Sequence, residues 1–286
     1  MIGDDGEGVS ELRLGDITYS NCFPVHARLI DQPDASDPRI VTGTPSLLNR
    51  LLREGEIDVA PCSSIEYALH ADRYQILPDL QIGSRGPVQS ILFLSRLNPG
   101  NLDGRTVALP TASATSVVLL KILLHLRWGS VPNYTWFDQA SENPFLFGAD
   151  AALFIGDVAL RPGLHDRVPY RLDLGEVWAK ATGLPFVFAL WQASGGAPGQ
   201  LRQLHSILVE SREYATTHRA DLAMRYSKHF GLAPRLLTQY WSDLDYQLDH
   251  SAVEGLRSFY RLAAEIGEIA ATPELRWAGG GMKDRI

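Results

Sequence analysis

The chain has 286 residues, 45% hydrophobic and 21% charged, with 25 Gly and 17 Pro. This is the make-up of an ordinary globular protein and excludes the disordered and fibrous classes. The length exceeds the usual size of one core, so two lobes and one large α/β unit are both open. A formal charge of −7, with no run of Lys or Arg, excludes a broad nucleic-acid or membrane-surface footprint, and any anionic ligand must be held locally.

The first sixteen residues, MIGDDGEGVSELRLGD, are acidic and Gly-rich and lack the basic and apolar regions of a secretory signal. They read as a frayed tail. The longest apolar run, SVVLLKILLHL, is broken by Lys121 and His125 and falls short of the roughly 18 residues a membrane span needs. A cytoplasmic location is expected. Cys22 and Cys62 have neither the number nor the spacing of a zinc site or disulfide framework, so free thiols are expected.

In chain order, ELRLGDITYS suggests a strand and RIVTG (39–43) a second. In TPSLLNRLLREGEID, Thr44 suits a cap, Pro45 the first turn, and Leu47, Leu48, Leu51 and Leu52 one apolar face; Gly55 ends the helix. IDVAPCS (57–63) is the next strand and SSIEYALHA a short helix. This β-α-β grammar predicts a largely parallel sheet. It recurs in RTVALP (105–110), the polar turn TASATS, the apolar helix VVLLKILLHLRW ending near Gly129, and the buried strand DAALFIGD (150–157). FVFALW (186–191) reads as a strand returning to the first lobe, the chain from Gly199 to Ile269 as helices, and the last dozen residues as a tail. The expected division is residues 1–97 plus 192–286 as one lobe and 98–191 as the other, with hinges near 96–100 and 189–198.

Ligands in open α/β sheets lie beyond the carboxyl ends of strands, where Asn21, Ser64, Thr111 and Asp157 all fall. In LPTASATSVVLL (109–120), four hydroxyls crowd six residues between a strand and a helix. Ser113, Thr115 and Ser116 can offer hydroxyls there beside free helix N–H groups, and the dipole alone favours a carboxylate by about 0.3–1 kcal/mol. Plain N-capping is the alternative. PCSSIEYAL (61–69) repeats the choice: Ser63 and Ser64 are either anion donors or part of a capping box with Glu66. In GSRGPVQSILFLS (83–95), Arg85 either pairs a carboxylate or is solvated, and Ser90 faces either a cleft or the sheet. Asn21 offers a donor pair and an acceptor without being a strong base; a bland turn residue is its other reading. His26 reads as a surface or satisfied histidine. The sequence contains neither a P-loop nor a dinucleotide fingerprint.

The segments SNCFP, TGTPSLLNRLL, GEIDVAPCSSIEYAL, ILPDLQI, SRGPVQSILFLS, VALPTASATS, DAALFIGDVAL, DLGEVW and TGLPFVFALW, spread in order over residues 12–191, resemble the chorismate dehydratases of futalosine-route menaquinone biosynthesis. The resemblance implies a type II periplasmic-binding-protein-like fold: α/β, two lobes, mixed mainly parallel sheets with flanking helices, and a helical C-terminal segment. It implies a small dianionic substrate, chorismate, and no cofactor, metal, nucleic-acid or membrane partner. On it we expect Asn21 and Ser90 in catalysis, with Ser64, Arg85, Gly86, Thr111, Ser113, Ala114, Thr115, Ser116, Gly156 and Asp157 binding substrate. The base is either the substrate's own enolpyruvyl carboxylate or one of Glu66 and Asp157. A non-catalytic solute receptor shares the fold, but the N-terminus shows no export signal. The sister enzyme that makes 1,4-dihydroxy-6-naphthoate typically carries a histidine where this chain has Gly156, and its usual opening is replaced here by YSNCFP.

Overall fold

The computed structural model describes residues 11–161, 163 and 168–279; of the expected tails at 1–16 and 275–286, residues 1–10 and 280–286 lie outside them, while residues 13–16 belong to a strand rather than a tail. The first sheet is built from β1 (Arg13–Ile17), β2 (Arg39–Gly43), β3 (Val59–Ser63), β4 (Gln75–Ser84) and β10 (Phe186–Ala193), in the order β2-β1-β3-β10-β4. The second holds β5 (Ile91–Ser95), β6 (Thr106–Pro110), β7 (Asn133–Phe137), β8 (Ala151–Ile155) and β9 (Tyr170–Asp173), in the order β7-β6-β8-β5-β9. In each sheet the strands β5, β8 and β10 are buried along their whole length, whereas β2 and β7 at the edges are largely exposed. Burial on both faces explains why the former read as unbroken apolar runs.

Local chemistry sets the first crossover helices. After β1 comes α1 (Phe23–Asp31), and after β2 comes α2 (Pro45–Glu54). The Thr44 side chain accepts the Leu47 N–H at the start of α2, Pro45 occupies its first turn, and Gly55 ends it at φ +72°, a conformation with little penalty only for glycine. α3 (Ser64–Leu69) follows β3, α4 (Thr115–Ile122) follows β6 and runs into a π-helical turn over 123–127, and α5 (Gly156–Ala159) follows β8. α6 (Leu174–Thr182) leads to β10, and α7 (Pro198–Thr217), α8 (Arg219–Phe230), α9 (Pro234–Asp243) and α10 (His250–Glu265) complete the first lobe. One large core joins both sheets, and a smaller cluster around Leu92, Phe137 and Phe154 fills the far face of the second. Each fully buried leucine or phenylalanine stabilises the fold by about 1.5–3 kcal/mol.

Two expectations are corrected. The lobe boundaries at 97 and 191 fall late, because β5 already pairs with β8 and β9, while all of β10 pairs with β3 and β4. A strand buried on both faces reads the same in either sheet. The chain therefore crosses at 85–90 and again through α6, rather than at the expected hinges. Parallel pairings are also matched by antiparallel ones, since β5 and β10, each entering from the other lobe, run against their neighbours.

The two crossings are tied together. The Asp173 carboxylate, which caps α6 by accepting the Glu176 N–H at 3.1 Å, also accepts the N–H groups of Val88 at 3.0 Å and Gln89 at 2.6 Å. Trp178 of α6 packs on Phe186 and on Phe259 of α10, and its indole N–H reaches the Pro185 carbonyl at 3.1 Å. The chain's last described stretch is not free: the Ile76 N–H donates to the Arg276 carbonyl at 2.7 Å and the Ala278 N–H to the Ile76 carbonyl at 2.9 Å, adding to the β4 edge.

Candidate active site

Where the carboxyl ends of β1, β3, β6 and β8 converge, the two lobes enclose a cavity of about 290 Å³. Ile17, Tyr19 and Asn21 reach it from β1, Ser63 from β3, Thr111 through Ser116 from β6, and Ile155 and Gly156 from β8. Ser46 and Asn49 of α2, Trp136 of β7 and Phe188 of β10 complete much of the wall. Among the described residues no Asp, Glu, Lys, Arg or His lines it. The site therefore offers neutral donors against apolar and aromatic surface.

The turn after β6 supplies most of them. Thr111 extends the ladder through its N–H to the Phe137 carbonyl at 3.1 Å. α4 begins after Ala114, which has no side-chain cap, so the capping alternative for this hydroxyl cluster does not hold. The first-turn N–H groups have no carbonyl one turn earlier and start at the cavity wall. Thr115 does a second job: its Oγ1 accepts the Ile65 N–H at 3.1 Å and lies 3.3 Å from the Ser64 hydroxyl, joining α4 of one lobe to α3 of the other.

That arrangement corrects Ser64. Its hydroxyl donates to the Val187 carbonyl at 2.8 Å and is fully buried behind Thr115, outside the cavity wall. The residue before it takes its place. Ser63 makes no side-chain cap, so the capping box with Glu66 is absent, and its hydroxyl instead accepts from Asn49 Nδ2 at 3.1 Å.

Asn21 lies between β1 and α1 on the wall, and its Oδ1 is buried without a hydrogen-bond partner among the described residues. A buried carbonyl oxygen left unpaired costs about 1–3 kcal/mol, so this atom is ready for a ligand donor. Burial pushes the Tyr19 phenol above its ordinary value, and its ring covers Gly156.

Five further expected residues are corrected. Arg85 points away, with its guanidinium on Asp245 at 2.9 Å and Asp249 at 2.8 Å, and neither Arg85 nor Gly86 lines the cavity. Ser90 is buried one layer behind the wall, where its hydroxyl accepts the Tyr240 proton at 2.7 Å. Asp157 lies outside the inner wall, with its carboxylate on the Ser20 N–H and hydroxyl; burial raises its pKa above the ordinary value. Glu66 is buried against Arg53, His70 and Tyr74, which removes it as a base. Sequence reasoning missed Tyr19, Ser46, Asn49, Trp136 and Phe188; the aromatics at strand ends were the available signal.

Asp16, Cys22 and His26 cluster closely enough to suggest a metal triad, but their hydrogen bonds assign other roles. Trp191 Nε1–H donates to His26 Nε2 at 3.0 Å, so the network places the ring proton on Nδ1, which donates to Asp16 at 2.7 Å and has no lone pair for a cation. Burial pushes the Cys22 thiol well up. His26 is a satisfied core histidine.

Two α/β lobes meeting at such a cavity make the two-lobed, periplasmic-binding-protein-like fold. Solved structures agree on the fold: a protein of Archaeoglobus fulgidus superimposes with a TM-score of 0.74 at 18% identity, covering 91% of this chain and 99% of its own. The Escherichia coli periplasmic aliphatic sulphonate binding protein gives 0.59 at 12% identity, covering 97% and 96%. The profile of the family described as menaquinone biosynthesis matches residues 12–265, and the chain belongs to that family. A chorismate dehydratase of Thermus thermophilus is 32% identical over 261 residues, 86% of this chain and 93% of its own. One of Campylobacter jejuni is 34% identical over 180 residues, 62% and 65% of the two chains.

Proposed function

We infer that this protein is a chorismate dehydratase, a hydro-lyase that converts chorismate to 3-[(1-carboxyvinyl)oxy]benzoate and water in futalosine-route menaquinone biosynthesis. The observation that carries the reading is the uncharged, donor-lined cavity in a chain whose curated relatives have that activity. The same reading places the protein in the cytoplasm, as a biosynthetic enzyme rather than an exported receptor.

The reaction takes a proton from ring carbon 3 and hydroxide from carbon 4, and the proton and hydroxide leave as water while the ring becomes aromatic. Charge develops on the ring carboxylate as the proton departs. Donors fixed in advance stabilise that charge without reorganising, and the first turn of α4 with Ser113 and Ser116 is placed to do so. Ser63 with Asn49 faces the second carboxylate, and Asn21 Oδ1 orients the C4 hydroxyl, which leaves as hydroxide and takes up the proton that the enolpyruvyl carboxylate has drawn from C3. With Glu66 sealed in its own network and Asp157 occupied by Ser20, the enolpyruvyl carboxylate is the base within reach, and intramolecular proximity lowers the barrier.

The test is to incubate the purified protein with chorismate and follow the mass of the product. Loss of one water, giving the substituted benzoate, is expected. Tight binding without conversion identifies a solute receptor instead, and turnover only of the cyclic futalosine derivative identifies the sister enzyme.

A further inference from the structure

Asp157 and Ser20 belong to different lobes, yet the Ser20 N–H and hydroxyl both bond the Asp157 carboxylate beside the cavity. Asp157 is the second residue of α5, and Ser20 lies in the connection from β1 to α1. The carboxylate oxygens accept the Ser20 N–H at 3.2 and 3.1 Å, and one of them accepts the Ser20 hydroxyl at 2.5 Å. The Ser20 carbonyl accepts the Trp241 indole N–H at 2.7 Å. Every polar group of a fully buried serine is thus used, and its two neighbours in sequence, Tyr19 and Asn21, both line the cavity.

The other end of the contact is held as firmly. The Gly156 N–H donates to the Ser90 carbonyl at 2.8 Å, and the Ser90 hydroxyl accepts from Tyr240. Tyr240 and Trp241 are adjacent on α9, so one helix turn grips both the second-lobe segment that carries Asp157 and the first-lobe segment that carries Asn21. Buried donors of this kind cannot be left unpaired cheaply.

We propose that Asp157 and Ser20 form an inter-lobe latch that positions Asn21 and keeps the cavity closed around the substrate. Asp157 is then a positioning residue rather than a base. Its oxygens already face Ser20 donors, and it stands outside the inner wall. Ser90 acts through the same frame, by holding the strand-to-helix turn at Gly156.

The experiment is a double-mutant cycle on Asp157→Asn and Ser20→Ala, read as chorismate turnover and as radius of gyration by small-angle scattering. In Asp157→Asn an amide N–H replaces an acceptor facing the Ser20 N–H. We expect kcat/KM to fall by at least about tenfold in Asp157→Asn and by about threefold or more in Ser20→Ala, with the double variant no worse than Asp157→Asn, because contacting partners are not additive. Both variants should scatter as more open particles. Full activity and unchanged dimensions in Ser20→Ala overturn the latch, as do losses that simply multiply. If Asp157→Asn fails to fold, Ser20→Ala alone decides. The turnover arm rests on the dehydratase reading; a wild-type protein inert toward chorismate defeats that reading, while the scattering comparison still tests the latch.

Discussion

The Tyr19 ring rests directly on Gly156, with its Cδ2 only 3.0 Å from where a Cβ on that glycine would project, and Gly156 holds φ at +61°. A side chain at this position meets both a backbone penalty and a collision. Gly156→Ala is expected to lower stability by about 1–3 kcal/mol and to displace Tyr19 from the wall, reducing turnover at least tenfold. Chemical denaturation and a chorismate assay check both. Unchanged turnover would show that the Tyr19 contact does not shape the cavity. A larger side chain here cannot be accommodated without moving Tyr19.

Asn21 presents a buried, unpartnered oxygen to a cavity without cations among the described residues. Asn21→Asp adds a negative charge beside a dianion and removes the amide donor. The expected loss in kcat/KM is about 100-fold or more, equivalent to roughly 3 kcal/mol, the scale of an unpaired buried charge. Steady-state kinetics at pH 7 decide, and a variant within threefold of wild type contradicts the role given to Asn21.

Thr115 joins the lobes through the Ile65 N–H. Thr115→Val preserves the shape, to a first approximation, but leaves that buried N–H without an acceptor. We expect about 1–3 kcal/mol of lost stability together with weaker substrate binding, measured by thermal unfolding with and without ligand. A variant as stable as wild type would mean that the contact adds nothing to holding the lobes together.

Asp58 gives a pH signature. Burial pushes its carboxyl up, but the side-chain and backbone hydrogen bonds from Arg13, at 2.8–2.9 Å, together outweigh that and hold it below its ordinary 3.8. A depressed folded pKa contributes stability above the unfolded value and loses it as pH falls through the depressed one. Asp58→Asn should therefore cost on the order of 1 kcal/mol at pH 7, since the Arg13 side chain is 37% exposed and partly screened, and the difference from wild type should shrink as pH drops below 3.8. Asp173 has the opposite sign: burial raises its pKa, so its contribution is greatest below the ordinary value and is lost as pH rises through the raised one.

Much of the fold was legible because its signals are local. β2 coincides with RIVTG, and α2 starts and stops at the Thr44 and Gly55 caps. What the sequence withheld depends on distant partners. Whether residues 91–95 pair in one sheet or the other is settled by β8 and β9, some 60 to 80 residues away. The hydroxyl cluster at 111–116 was readable as a candidate site, since four hydroxyls exceed what one cap needs, and it lines the cavity. Ser63 and Ser64 were not separable, because the strand-to-helix switch between them decides which side chain faces the cavity. Arg85 was drawn off by Asp245 and Asp249, more than 150 residues on, a pairing that no local pattern announces.

The central claim is that an uncharged cavity dehydrates chorismate with the substrate's own carboxylate taking the proton. The most direct measurement compares chorismate with its analogue in which the enolpyruvyl carboxylate is replaced by a carboxamide, using purified enzyme and following product by mass. The account expects the analogue to bind as a competitive inhibitor and yield no 3-[(1-carbamoylvinyl)oxy]benzoate above background. Conversion of the analogue at a rate near that of chorismate would place the base on the protein and contradict the account.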